Sequence, residues 1–163
     1  MTIYEITVKM IEYSNGSLRD INHFLKVFAF AKTIGECEKL SEKEQSILEI
    51  AALVHDIACP LCREKYGDAD GKKQELEGPN LVREFFKDAD LPRDVLERVL
   101  FLVAHHHTYE GIDGRDYQIL LEADYLVNAG ESGYSEEHIR NTLNTLFRTK
   151  AGIYLLQSIY RVF

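Results

Sequence analysis

The stretch Leu48-Glu-Ile-Ala-Ala-Leu-Val-His-Asp-Ile-Ala58 decides how the rest of the chain is read. It climbs as an apolar run to His55 and Asp56, and a segment of Cys, Pro, Gly and charge begins at Cys59. An ionised carboxylate in apolar surroundings needs a cation or several hydrogen bonds to offset its lost hydration. A divalent metal supplies the first, since imidazole nitrogen and carboxylate oxygen are both ligands. A helix end in which His55 meets the last carbonyls and Asp56 caps the next turn satisfies the pair equally well. The other histidines must decide.

Outward from this stretch the periodicity is helical. Ser41-Glu-Lys-Glu44 is a capping box that opens the helix carrying His55 and Asp56. Upstream, Ile3, Ile6, Met10 and Tyr13 mark an amphipathic helix ending at Asn15-Gly16. Ser17 to Asp20 then opens a helix with Ile21, Phe24, Leu25, Phe28 and Ala31, which stops near Gly35. Downstream, Cys59 to about Gln74 shows no helical period and predicts a long loop of the kind that serves a site. Gly78-Pro79 predicts the next helix start, and Pro92 another that leads into His105-His106-His107. Helices follow over roughly Tyr117–Asn128, Glu136–Phe147 and Ala151–Tyr160. With no alternating strand run, the expectation is an all-α bundle of about seven or eight helices, a single domain over residues 1–163.

A net charge of −8 argues against broad binding to polymeric nucleic acid or acidic membranes, which needs a basic surface. A small anionic partner remains open if a metal or local cations reverse the potential. The three cysteines, the charged opening Met1–Tyr13 and the lack of an uninterrupted apolar run near the ~20 residues of a membrane span predict a cytoplasmic location. Cys59-Pro-Leu-Cys62 has the CxxC form, but no second pair or strand-helix redox unit accompanies it, and we read these thiols as structural. The apolar tail Tyr154–Phe163 packs either in the core or against another subunit, which leaves a homo-oligomer open.

His23 precedes Val27 and Ala31 at i+4 and i+8, so its imidazole shares an apolar helix face, as a core histidine or as a ligand. Asp124 shares its side of a helix with Leu120, Ala123 and Val127, and needs a partner there, whether Arg98, Arg115 or a cation. The ordered set His23, His55-Asp56, Asp124, each embedded in an apolar helix, resembles the HD-domain superfamily of metal-dependent phosphohydrolases. The resemblance runs from Asn22 to Asn128, with Leu53-Val-His-Asp-Ile57 and Glu122-Ala-Asp-Tyr-Leu126 similar to that family's motif contexts.

The resemblance implies metal ligation by His23, His55, Asp56 and Asp124. Such a mixed nitrogen and oxygen site suits Mn, Fe, Co, Ni or Zn, and Mg less well. It also implies a metal-activated water, which Asp56 could orient or deprotonate. Successive helical positions diverge by ~100°, so His105, His106 and His107 cannot all face one pocket while the helix continues. In relatives with two metals, histidines of this region join the second ion, and a further histidine precedes them. Here that earlier stretch reads Gln74-Glu-Leu-Glu77-Gly-Pro79. Either the second ion is absent or Glu77 (less readily Glu75) replaces the histidine, with His105 and His106 beside it. One metal is the expectation, with His106 and His107 facing the phosphate as catalytic groups. Arg19, Lys72, Lys73 and Lys150 are candidates to hold a substrate phosphate, each weighed against a solvated surface cation. The function expected is metal-dependent hydrolysis of a small phosphate ester, a nucleotide first among them. A di-iron oxygenase and a non-catalytic nucleotide or metal sensor are the alternatives.

Overall fold

The computed structural model describes residues 1–163 and contains helices only. Thr2 and Glu5 form a capping box that starts α1 (Ile3–Tyr13), whose Ile6 and Met10 face the core. Ser17 caps α2 (Leu18–Cys37), which presents His23, Phe24, Val27, Ala31 and Ile34 on its buried face. The Ser41–Glu44 box opens α3 (Glu42–Val54), in which every residue from Ile47 to Val54 is buried. A helix enclosed on all sides has no polar face to show. That is why this run is apolar without interruption save Glu49, which Lys32 and Gln45 satisfy.

The stretch Glu42–Tyr66 is long and apolar enough on average to cross a membrane, yet most of it is enclosed by the rest of the bundle. His55 caps α3, and a turn carries the chain into α4 (Cys59–Tyr66). The expected loop over Cys59–Gln74 is therefore mostly helix, because Pro60 sits in the first turn of α4 and Gly67, at φ 80°, closes it in the left-handed region. Asp70 then caps α5 (Gly71–Phe85) by accepting from the backbone N–H groups of Lys72 and Lys73. Pro79 lies inside α5 rather than at its start. A proline there removes one intrahelical bond; Gly78 beside it packs so closely that a Cβ would meet Val103 at 2.7 Å.

The remaining elements are α6 (Arg93–Val103), α7 (Arg115–Glu131), α8 (Glu136–Thr145) and α9 (Lys150–Tyr160), which makes nine helices. The count exceeds the expected seven or eight by α4, which lies within the stretch expected to be loop. α2 packs on both α3 and α7, and α3 also packs on α1, α6 and α7. α7 is nearly as enclosed as α3, with buried residues from Asp116 to Ala129. Its Glu122 accepts from the backbone N–H groups of Arg148 and Thr149 and so anchors the start of α9. The C-terminal Leu156 and Val162 belong to the same core, which settles the packing of part of the tail. All three cysteines are unpaired.

Candidate metal centre

Four elements deliver polar side chains to one point inside this core: the second turn of α2, the end of α3, the turn after α6, and α7. His55 and His106 are fully buried, Asp124 is 3% exposed and His23 7%. His23 Nε2 stands 3.3 Å from His55 Nε2, 3.1 Å from Asp124 Oδ1 and 3.2 Å from Asp56 Oδ2. His55 Nε2 lies 3.5 Å from both Asp56 Oδ1 and Asp124 Oδ1, and His106 Nε2 lies 3.3 Å from Asp56 Oδ1. Asp56 is thus shared, with one oxygen towards His23 and the other towards His55 and His106.

The far side of each ring fixes which nitrogen faces this centre. His55 Nδ1 donates to Ala52 O at 2.8 Å, and His106 Nδ1 donates to Val103 O at 2.7 Å. His23 Nδ1 donates to Glu131 Oε2 at 2.8 Å. In a neutral imidazole the other nitrogen is then a lone pair. Three lone pairs and two carboxylates therefore converge with no hydrogen between them. Protons on the rings would relieve the conflict, and so would a cation at the centre. The spacing fits the second: donors each ~2.1 Å from a common ion stand roughly 3.0–3.4 Å apart in octahedral or tetrahedral coordination. His23, His55 and Asp56 offer ligand atoms within 4.8 Å of one another, and so do Asp56, His106 and His107.

The electrostatics carry the same signature. Burial alone would lower His23, but Asp124, Asp56 and Glu131 outweigh it and raise its pKa to about 10. His55 is raised despite complete burial, chiefly by Asp56 and Asp124. Burial likewise pushes Asp56 and Asp124 upward, and the surrounding imidazoles more than reverse it, holding both carboxyls below their ordinary range. A centre that draws protons onto imidazoles this strongly is short of positive charge.

The turn after α6 is pinned from two sides. Glu75 Oε1 accepts from His107 N at 2.9 Å and Thr108 Oγ1 at 2.7 Å, while Tyr117 Oη reaches the carbonyls of His105 and Thr108. The turn separates the three histidines. His106 enters the centre and His107 lines the cavity in front of it. His105 turns away to stack on Phe101, with its Nδ1 on Phe101 O, and is withdrawn as a second-metal candidate. His107 Nε2 is buried without a hydrogen-bond partner. Burial and the neighbouring His106 push its pKa down to about 4, which favours a neutral ring at pH 7.

The cavity in front of the centre measures about 590 Å³ and is lined mainly by polar groups. Arg19 lines it, as expected. Lys72 and Lys73 do not: Glu75 and Asp68 hold their ammonium groups. Lys150 lies on a separate groove beside Thr33 and Tyr154. Glu77 is held by Lys65 and Tyr66 and points away, so it does not replace the missing histidine. Gln74 takes that place instead, with Oε1 3.3 Å from His106 Nε2 and its amide donating to Ala69 O.

Sequence reading missed the cavity cations Lys26 and Arg63, and the carboxylate Glu131. Lys26 lies one turn after His23 and Glu131 two turns after Asp124, so helical spacing from the named ligands could have found both. Arg63 was hidden by reading α4 as loop; it pairs with both oxygens of Asp20.

No match is found among curated proteins. A solved structure described as a predicted HD superfamily hydrolase, from an uncultured Thermotogales bacterium, superposes with a TM-score of 0.70. It covers 97% of this chain and 84% of its own at 20% identity, a likeness of fold. The HD domain family model matches residues 20–140, a span that contains His23, His55, Asp56, His106 and Asp124 together. The chain belongs to the HD-domain family.

Proposed function

We propose that this protein is a metal-dependent hydrolase acting on a small phosphate ester, with a nucleotide as the first candidate substrate. Family membership supports a metal-dependent hydrolase in general. The observation that carries the reading further is the convergence of three Nε2 lone pairs and two carboxylates with no donor between them. His23, His55, Asp56 and Asp124 would hold the ion, in keeping with a mixed-donor preference for Mn, Fe, Co, Ni or Zn. A divalent metal held there supplies Lewis acidity and an activated water near neutral pH.

The chain's own groups account for the remaining tasks. Asp56, 25% exposed at its side chain, faces the cavity and is placed to orient a nucleophilic water. His107 lines the cavity, with its Nε2 buried and unpartnered. Arg19, Lys26 and Arg63 line the cavity, Lys26 and Arg63 already paired with Glu131 and Asp20, and with a metal at the centre these cations favour a phosphorylated ligand there. Of the three, Arg19 makes no ion pair, and we assign it the first hold on a phosphate. The polar lining suits a hydroxyl-rich leaving group such as a nucleoside or sugar. The unpaired thiols support a reducing cytoplasm as the site of action.

A second ion is a separate reading with its own observation: His106 Nε2 faces Asp56 and Gln74 oxygens, with His107 close by. Metal stoichiometry decides between one and two, and two irons with oxygen consumption would favour the oxygenase instead. The test of the main reading is phosphate release from a panel of nucleotides and sugar phosphates with Mn, Co or Ni. Turnover that chelation abolishes supports it. A fully metallated protein that hydrolyses nothing and binds a nucleotide unchanged would favour the sensor.

A further inference from the structure

α7 grips both edges of one imidazole. Asp124 Oδ1 stands 3.1 Å from His23 Nε2, and Glu131 Oε2 stands 2.8 Å from Nδ1 of the same ring. The two carboxylates are seven residues apart, two turns along one face of the helix. His55 and His106, in contrast, are fixed by carbonyls of their own helices, at Ala52 and Val103. His23 sits in the second turn of α2, inside the helix, where the carbonyls of the preceding turn are engaged by the helix itself. Its orientation has to come from a side chain on another element.

Glu131 is the last residue of α7. A carboxylate there meets the partial negative charge of the helix C-terminus, so nothing in helix stability favours it. Its other oxygen holds Lys26 Nζ at 2.8 Å, on the cavity wall. We infer that Glu131 is a positioning residue: it holds the Nδ1 proton of His23, aims the Nε2 lone pair at the ion, and raises the basicity of the ring as a ligand. Carboxylates behind ligating histidines have this effect generally, and their loss weakens metal binding about 10–100-fold. The inference rests on the metal reading of the centre, and a structural competitor exists, namely that Glu131 only pairs with Lys26 to tie α2 to α7.

Mn²⁺ titration of the metal-free protein separates these. Glu131→Ala should bind Mn²⁺ about 10–100-fold more weakly than wild type. Glu131→Gln should lose less, because its amide oxygen still accepts the Nδ1 proton. Lys26→Met, which breaks the ion pair and leaves the histidine contact, should bind Mn²⁺ no more weakly than wild type. The second readout needs no metal: a hydrogen-bonded Nδ1–H resonance of His23 should appear in wild type and Glu131→Gln and vanish in Glu131→Ala. Wild-type Mn²⁺ affinity in Glu131→Ala overturns the inference, as does equal weakening in Lys26→Met. If wild type itself binds none of Mn²⁺, Fe²⁺, Co²⁺, Ni²⁺ and Zn²⁺, the metal reading fails, and the Nδ1–H resonance alone then decides whether Glu131 orients His23.

Discussion

α3 with α7, and the segment from α4 to the middle of α5, contribute to the same cavity but are written differently in sequence. The first two are enclosed on almost every side, so a polar residue in them is conspicuous: Asp124 stands among buried Leu120, Leu121 and Val127, and His55-Asp56 ends the run Ile47–Val54. α4 and α5 lie at the edge, bury only Cys59, Cys62, Gln74, Gly78, Val82 and Phe85, and are polar elsewhere. A functional side chain there looks like any surface residue. Enclosure, not chemistry, makes a site legible.

The largest effect expected from this contrast is on turnover. Asp56→Ala removes the carboxylate shared by His23, His55 and His106, and should lower kcat/KM by about 10³ or more, on the order of losing the activated water. Glu77→Ala, at the edge, should leave turnover and metal content within about twofold. A Glu77→Ala variant as inactive as Asp56→Ala would break the comparison.

Next in size is phosphate binding. Arg63→Met and Arg19→Met should each raise KM for a phosphorylated substrate about tenfold, the size of one charge-assisted hydrogen bond. The double variant Lys72→Ala, Lys73→Ala should leave KM within about twofold, since Glu75 and Asp68 hold both lysines. The opposite ranking, measured by steady-state kinetics, would return the phosphate to the α5 N-terminus.

These two comparisons also mark what sequence carried. The all-α class and the residues His23, His55, Asp56 and Asp124 could be read because each interrupts an apolar face. The cap at Ser41 was equally plain. The helices α4 and the first half of α5 were not, because eight residues with two buried cysteines give too short a period, and Pro79 inside a helix imitates a start. The separation of His105 from His106 and His107 depends on a turn held by Glu75 and Tyr117, contacts across 32 and 12 residues that no local pattern shows.

A smaller effect concerns pH. In the metal-free protein His23 lies at about 10 against an ordinary 6.5, so its contribution to stability is full below pH 6.5 and is lost as pH rises through about 10. Asp56 and Asp124 run the other way: lowered from 3.8, they contribute above about pH 4 and lose that contribution as the solution is acidified. Metal-free melting temperature should therefore fall as pH rises above about 6.5. Metal binding must displace the ring proton, so affinity should rise between pH 6 and 9 with proton release seen as a buffer-dependent heat. Equal affinity at both ends would contradict the assignment of His23 as a ligand. The smallest effect is Tyr117→Phe, which removes the bond to the His105–Thr108 turn and should cost about 1 kcal/mol in chemical denaturation, with metal content retained.

The central claim is that the buried lone pairs and carboxylates surround a cation. Its most direct measurement is elemental analysis of the purified protein, wild type beside Asp124→Ala and His55→Ala. The account predicts one transition-metal ion per chain in wild type, or two if the His106 flank also fills, and loss of most of it in both variants. A wild type without metal that also takes none up from Mn, Fe, Co, Ni or Zn, or variants that keep the full complement, would contradict it.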